Sequence, residues 1–254
     1  LTCNQESTWQ SHPHRRCAGR LVYRFDIFVQ GKNTQHALTC GIMRASHRPT
    51  LTVCNETEKE LVMPSTTVDA NSVILTGENP FIRLSASDGS PNTTEASFWR
   101  ILFSPAGPGH VLYLKSELTD GQLRIYSDNI AMTRWLQSTV QGMLNPETAD
   151  LTIPVIDAGF SKNGDTRDFW IEQVRAGTDE IALTWYDIGE SLLVHTQPGE
   201  ERRYGVCTIL MPALGARLTV NGVQASGQPW PREREGRPFS TCALAFSESW
   251  TEPR

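Results

Sequence analysis

Apolar and polar positions alternate along most of the chain, and this alternation predicts short β-strands. In residues 21–29, for example, every odd-numbered side chain is apolar and would lie on one face of a strand. Asp120-Gly121 and Asn221-Gly222 separate such segments, and both dipeptides are typical of tight hairpin turns. The whole pattern predicts roughly fifteen strands.

One stretch, residues 126–145, departs from the alternation and predicts a helix. Its sequence is YSDNIAMTRWLQSTVQGMLN, and its apolar side chains recur at helical spacing. Ser127 or Asp128 is expected to cap the start, and Asn145-Pro146 is expected to end the helix. We therefore predict one α-helix at about residues 127–144, near the middle of the chain.

These elements predict an all-β fold with two packed antiparallel β lobes, each barrel-like or sandwich-like. Residues 1–125 and 146–254 would form the lobes, and residues 126–145 would be the helix that joins them. A single large sandwich is the alternative. The strand count is similar to that of calycins, including lipocalin-type tandem barrels that act on small apolar molecules. This calycin-like resemblance rests on strand count alone, without a shared motif.

Charge and motifs exclude several classes of function. The net charge is −5, and no basic stripe is present, which argues against nucleic acid and anionic membranes as partners. No apolar run approaches the roughly 18 residues of a membrane-spanning helix. The chain lacks phosphate-binding loops, dinucleotide-binding fingerprints and zinc-protease motifs. We therefore predict a protein without a metal or nucleotide cofactor.

The cysteines leave the location open. Six are present, none in a CxxC pair, and two sequons, Asn55-Glu56-Thr57 and Asn92-Thr93-Thr94, are N-glycosylation acceptors. Disulfides among Cys3, Cys17, Cys40 and Cys54 would suit a secreted protein, whereas free thiols would suit the cytoplasm. His12 and His14 have the spacing of two metal ligands on one strand face, but the chain offers no obvious third ligand.

A predicted hairpin within residues 168–195 contains the strongest catalytic candidate. If Arg175 pairs with Glu180, one face carries a single carboxylate, Glu172, among Trp170, Trp185 and three aliphatic side chains. Removal from water raises the pKa of a carboxyl group, and this favours acid/base chemistry near neutral pH. Two structural interpretations remain open: the face is exposed, or Glu172 pairs with a buried arginine, namely Arg100, Arg124 or Arg134.

Further candidates lie near this hairpin and on the helix. Tyr186 and Asp187 end the second strand, and His195 follows them, so all three are candidate proton donors or acceptors. Asn129 and Arg134 on the helix are candidate ligand-binding residues, together with Trp170 and Trp185. The alternative is structural: a core tryptophan, a turn aspartate, and a helix that packs between two lobes.

We predict an enzyme that binds a small, partly apolar molecule and acts by metal-free acid/base chemistry, as an isomerase, lyase or cyclase. Two further classes of function remain open. One is a non-catalytic module that binds carbohydrate or a hydrophobic ligand, and the second is a disulfide-containing extracellular interaction domain. Unpaired strand edges make a homodimer a further expectation.

Overall fold

The computed structural model describes residues 72–199 and 203–253. Several predicted features lie outside these residues: the strand at 21–29, the His12 and His14 pair, and the sequon at Asn55. The same is true of Cys3, Cys17, Cys40 and Cys54, whereas Cys207 and Cys242 are described and are free thiols.

The all-β prediction is confirmed for the described residues. Fifteen strands dominate, in the order β1 Val73–Glu78, β2 Phe81–Ser85, β3 Asn92–Phe103, β4 Gly109–Ser116, β5 Leu123–Ser127, β6 Val155–Asp157, β7 Gly159–Gly164, β8 Phe169–Ala176, β9 Asp179–Ile188, β10 Leu192–Thr196, β11 Gly205–Val220, β12 Val223–Gln224, β13 Pro231–Arg234, β14 Arg237–Ser240 and β15 Ala243–Thr251. Two short α-helices, α1 Ile130–Ser138 and α2 Val140–Leu144, lie between β5 and β6.

Thirteen strands belong to one hydrogen-bonded sheet, and the long strand β11 divides it into two parts. The first half of β11 pairs with β15 and β10, and the second half pairs with β9 and β12. We call the part with β1–β6, β15, β10 and the first half of β11 the front sheet. The back sheet contains the second half of β11 with β7, β8, β9 and β12.

The two sheets pack face to face around the largest hydrophobic core. The front sheet contributes Phe98 and Leu112, and the back sheet contributes Val174, Trp185 and Leu218, all with 0 % exposure. Alternating strand residues supply this core from both sides, as expected for stacked sheets. The opposite, outer face of the front sheet carries the helices.

The helices form the crossover between two neighbouring parallel strands. β5 and β6 pair in parallel, from Ile125 opposite Val155 to Ser127 opposite Asp157. Parallel neighbours need a long connection, usually helical, because a tight turn cannot join them. The helical segment in an otherwise β-rich chain is explained by this connection. Its buried Met132 belongs to a second core on the outer face of the front sheet.

The helix boundaries differ from the prediction of one helix at 127–144. Ser127 belongs to β5, and Asn129 caps α1 by accepting a hydrogen bond from the Met132 amide at 3.1 Å. Thr139 interrupts the helix with φ −123 and ψ −107. At this break the chain approaches itself so closely that a Cβ at Gly142 would lie 2.1 Å from the Gln137 carbonyl oxygen.

The expectations about membranes and about lobes have different outcomes. Within residues 72–199 and 203–253, no helix combines the length and the apolar character needed to cross a bilayer. The division into lobes at residues 1–125 and 146–254 includes chain outside the described part and stays a prediction. The calycin-like detail also stays a prediction.

Candidate functional site

A pocket of about 690 Å³ lies on the outer face of the front sheet, beside α2. Strands β2, β3, β4, β10, β11 and β15 supply most of its walls, and Gln141, Met143 and Leu144 of α2 form one side. This volume lies in the range typical of small-molecule sites.

A β-bulge in β15 shapes the pocket. Phe246 pairs with Ile209 and Ser249 pairs with Cys207, so β15 advances by three residues where β11 advances by two. The extra residue lies at Ser247, whose φ of 52 is in the left-handed region. Bulges of this kind bend a strand and redirect the side chains that follow.

The bulge determines which side chains of β15 face the pocket. Ala245, Glu248 and Trp250 all line it. Strict alternation from Ala245 would have presented Ser247 instead and turned Glu248 to the opposite face, toward the core between the sheets. The one-residue insertion therefore places a carboxyl group in the pocket.

Glu248 is almost completely buried, with 4 % exposure. The Trp250 indole Nε1 donates a hydrogen bond to its Oε1 at 2.6 Å. Burial raises the pKa of Glu248 to about 7, and hydrogen bonds from Trp250, Thr208 and Asn79 partly oppose this rise. No lysine, arginine or histidine among the described residues forms a salt bridge with Glu248.

Polar side chains connect this carboxyl group to the helix. The Ser97 hydroxyl lies 3.1 Å from Asn79 Oδ1 and 3.3 Å from Gln141 Oε1, so it donates to one of these oxygens at a time. Trp99 Nε1 also donates to Gln141 Oε1, at 2.7 Å. Because Asn79 is also one of the groups that lower the pKa of Glu248, polar side chains extend from α2 toward the buried carboxyl group.

Charged side chains also line the pocket. Arg83 and Arg203 are exposed, and Arg234 is half-buried. Lys115 is paired with Glu147, to which its Nζ donates hydrogen bonds at 2.6 and 2.9 Å. The interior of the pocket around Glu248 is therefore buried and carries little charge, whereas the outer part of the pocket is cationic.

The hairpin of β8 and β9 has the predicted register. Arg175 pairs with Glu180, Glu172 with Leu183, and Trp170 with Trp185. The predicted apolar face is buried in the core between the sheets, and Glu172 has 0 % exposure. The structure therefore has the pairing that the sequence analysis considered, and the alternative of an exposed face is wrong.

Glu172 is bound by a buried arginine, as one of the two structural interpretations anticipated. Arg100 Nη2 donates to both Glu172 oxygens, at 2.9 and 2.8 Å, and Trp170 Nε1 donates to Oε1 at 2.8 Å. Arg100 also pairs with Glu78. Burial raises the pKa of Glu172, while the guanidinium charge of Arg100 opposes the rise. This ion pair joins β3 of the front sheet to β8 of the back sheet.

The remaining predicted catalytic residues lie at the surface. Tyr186 is 40 % exposed and its ring covers Gly215, the residue opposite it on β11. Asp187 is exposed with a φ of 52, and His195 is exposed beside Gln197. Within the described chain, no hydrogen bond joins any of these three side chains to Glu172.

The predicted ligand-binding residues hold parts of the fold together. Besides capping α1, Asn129 donates to the Pro108 carbonyl at 2.8 Å. Arg134 donates to Gln137 Oε1 and to the Ile153 carbonyl, both at 2.8 Å. Trp185 donates to the Phe81 carbonyl at 3.0 Å, and Trp170 bonds Glu172. None of the eight predicted site residues, all of them described, lines the pocket, and their functional roles stay predictions.

Glu248 was missed by the sequence argument, although a signal for it was available. Trp170 and Glu172 are two residues apart, and so are Glu248 and Trp250. In both pairs the indole Nε1 donates to the glutamate Oε1. A search for a second glutamate and tryptophan two residues apart in a predicted strand would have indicated Glu248.

The described residues show no metal site, and the comparisons with known proteins identify no relative. Among residues 72–199 and 203–253, no group of three or more His, Cys, Asp or Glu side chains is arranged to hold a metal ion. Comparisons of the chain with models of protein families, with curated proteins and with solved structures gave no significant match.

Proposed function

We propose that the protein is an enzyme that binds a small, partly apolar molecule in the pocket beside α2 and acts on it by acid/base chemistry through Glu248. The observation that carries this proposal is a buried carboxyl group in the wall of a pocket of about 690 Å³, where burial raises its pKa to about 7. A group with such a pKa exchanges its proton most effectively near neutral pH.

The surroundings of Glu248 support proton transfer to and from carbon or oxygen of a bound molecule. Ionised Glu248 takes a proton from a C–H bond next to a carbonyl group, and protonated Glu248 returns one. Trp250 fixes one carboxyl oxygen, and Val194, Val206 and Leu210 give the pocket an apolar side. These features fit isomerase, lyase or cyclase chemistry.

Proton exchange in heavy water provides the test. The protein is incubated in D₂O with small ketones, enones and their carboxylated analogues, and deuterium incorporation next to the carbonyl is followed by proton NMR. We expect exchange with the wild type and a loss of at least about a hundredfold with Glu248→Gln, since general acid/base groups contribute about that much or more.

Glu95→Gln is the matched control, because Glu95 lines the same pocket but is only half-buried. It is expected to retain the exchange activity. Equal exchange by the wild type and Glu248→Gln would contradict the proposed role. A compound that binds in the pocket without any exchange would favour the non-catalytic binding module instead.

Carbohydrate binding and an extracellular interaction role have less support. Of the six described tryptophans, four are buried and two, Trp135 and Trp230, are half-buried, so none of the six presents a fully exposed indole for sugar stacking. The disulfide-containing interaction domain depends on cysteines outside the described residues and stays a prediction, as does the homodimer.

A further inference from the structure

Three arginines that line the pocket have no salt-bridge partner within residues 72–199 and 203–253. Arg83, Arg203 and Arg234 form no salt bridge with any described residue, and their guanidinium groups donate no hydrogen bond within the described chain. Elsewhere, Arg100 and Arg232 have carboxylate partners. As far as the described residues are concerned, the donors of the three pocket arginines are therefore available to a ligand.

Each of these guanidinium groups is held over an aromatic ring. Arg83 lies 5.3 Å from the ring centre of Phe81, Arg203 5.0 Å from that of Tyr204, and Arg234 6.0 Å from that of Phe239. Cation–π contact at such distances orients an arginine without consuming its hydrogen-bond donors. The three cations are thus positioned without being neutralised.

The charge balance of the pocket favours an anion. Lys115 and Glu147 neutralise each other, and Glu248 is only partly ionised near neutral pH. Among the described residues, Glu95 is the one remaining carboxylate against the three arginines, so these residues give the pocket an excess of between one and two positive charges. Since Arg83 and Arg203 are exposed and Glu248 is buried, the positive charge lies toward solvent and the partly ionised acid lies inside.

We propose that the pocket selects small apolar molecules with one anionic head group, which Arg83, Arg203 and Arg234 bind at the rim while the apolar body lies inside near Glu248. This inference rests on the proposed function only in taking this pocket as the ligand site. Guanidinium groups bind carboxylates and phosphates through charge-assisted, often bidentate hydrogen bonds, so both head groups fit this chemistry.

Competition binding with molecules of matched chain length tests the selectivity. The uncharged fluorescent probe N-phenyl-1-naphthylamine serves as reporter, because a molecule without charge is not expected to need the arginines for binding. Octanoate, octyl phosphate and 1-octanol are then used to displace it. We expect at least one anion to displace the probe at a concentration at least about tenfold lower than 1-octanol, which corresponds to one good charge-assisted contact.

The arginines are tested with a matched pair of triple variants. In Arg83→Gln/Arg203→Gln/Arg234→Gln, the preference for the anion is expected to fall below about threefold, since the charge-assisted contacts are lost. Arg167→Gln/Arg175→Gln/Arg217→Gln removes the same charge from exposed positions outside the pocket and is expected to keep the preference. Circular dichroism and thermal unfolding verify that both triple variants fold. If a triple variant does not fold, the three single variants are measured in its place.

Several outcomes would overturn the anion selectivity: equal displacement by 1-octanol and both anions, a preference that survives in the pocket variant, an equal loss in the control variant, or no binding of any compound. Stronger displacement by octanoate than by octyl phosphate identifies a carboxylate ligand, and the reverse order identifies a phosphate ligand. If the wild type prefers anions but exchanges no deuterium, the proposed chemistry is rejected and the anion selectivity is retained. If the wild type exchanges deuterium through Glu248 but shows no preference for anions, only the anion selectivity is rejected.

Discussion

Replacing Glu248 by glutamine is expected to stabilise the protein at pH 8 and to change its stability little at pH 4.5. Glutamine has nearly the same shape as a protonated glutamic acid and retains a carbonyl oxygen for the Trp250 indole, but it does not ionise. The substitution therefore removes the ionisation of a group with 4 % exposure and preserves its packing.

The magnitude follows from the shift of the pKa between the unfolded and folded chains. The pKa of Glu248 rises from 4.5 to about 7 on burial, a difference of about 2.5. Below pH 4.5 the carboxyl group is protonated in both states, and its stabilising contribution is fully present. As pH rises toward 7, the unfolded chain loses this proton more readily, so stability falls by roughly 3 kcal/mol in total and then levels off.

Urea unfolding at about pH 4.5, 6, 7 and 8 measures this effect as the difference in unfolding free energy between Glu248→Gln and the wild type. The difference should be near zero at the lowest pH and reach roughly 3 kcal/mol in favour of the variant above pH 7. Groups that titrate equally in both chains cancel. If the unfolding free energies of Glu248→Gln and the wild type change in parallel between pH 4.5 and 8, the proposed pKa shift of Glu248 is refuted.

Two further substitutions test the structural parts of the molecule. Arg100→Met leaves Glu172 buried without its cation and should lower the free energy of unfolding, measured in urea, by about 3–5 kcal/mol. The double variant Arg100→Met/Glu172→Met should show a smaller loss of unfolding free energy. Equal losses in the two variants would show that the unpaired charge is not the cause. Asn129→Ala removes the cap of α1 and should cost about 1 kcal/mol, with Asn129→Ser close to the wild type. If the serine variant is as unstable as the alanine variant in thermal unfolding, the second hydrogen bond, to Pro108, is the more important one.

The sequence predicted local pairing well where one pattern and one turn determine it. The register of β8 and β9 follows from strict alternation on both sides of a tight turn, since a slip by one residue would expose the apolar face. The helix was located by its apolar spacing, but its interruption was not. The break at Thr139 is a backbone feature that the periodicity of apolar residues does not report.

The pocket was less predictable because it depends on a bulge and on neighbours distant in sequence. Alternation along β15 groups Glu248 with Leu244 and Phe246, which face the core between the sheets. Only the extra residue at Ser247 separates them. Similarly, the sequence offered Arg100, Arg124 and Arg134 as partners for Glu172, and only the packing of the two sheets distinguishes Arg100 from the rest.

Two glutamates with the same local surroundings thus have different chemistry because of what faces them. Glu172 and Glu248 are both buried, and each accepts a hydrogen bond from an indole two residues away. Arg100 crosses from the opposite sheet to bind Glu172 through both oxygens, so that carboxylate stabilises the contact between sheets. Glu248 meets no such cation among the described residues and faces a pocket instead. Its proton therefore remains exchangeable near neutral pH, and this difference makes Glu248, and not Glu172, the stronger candidate for acid/base chemistry.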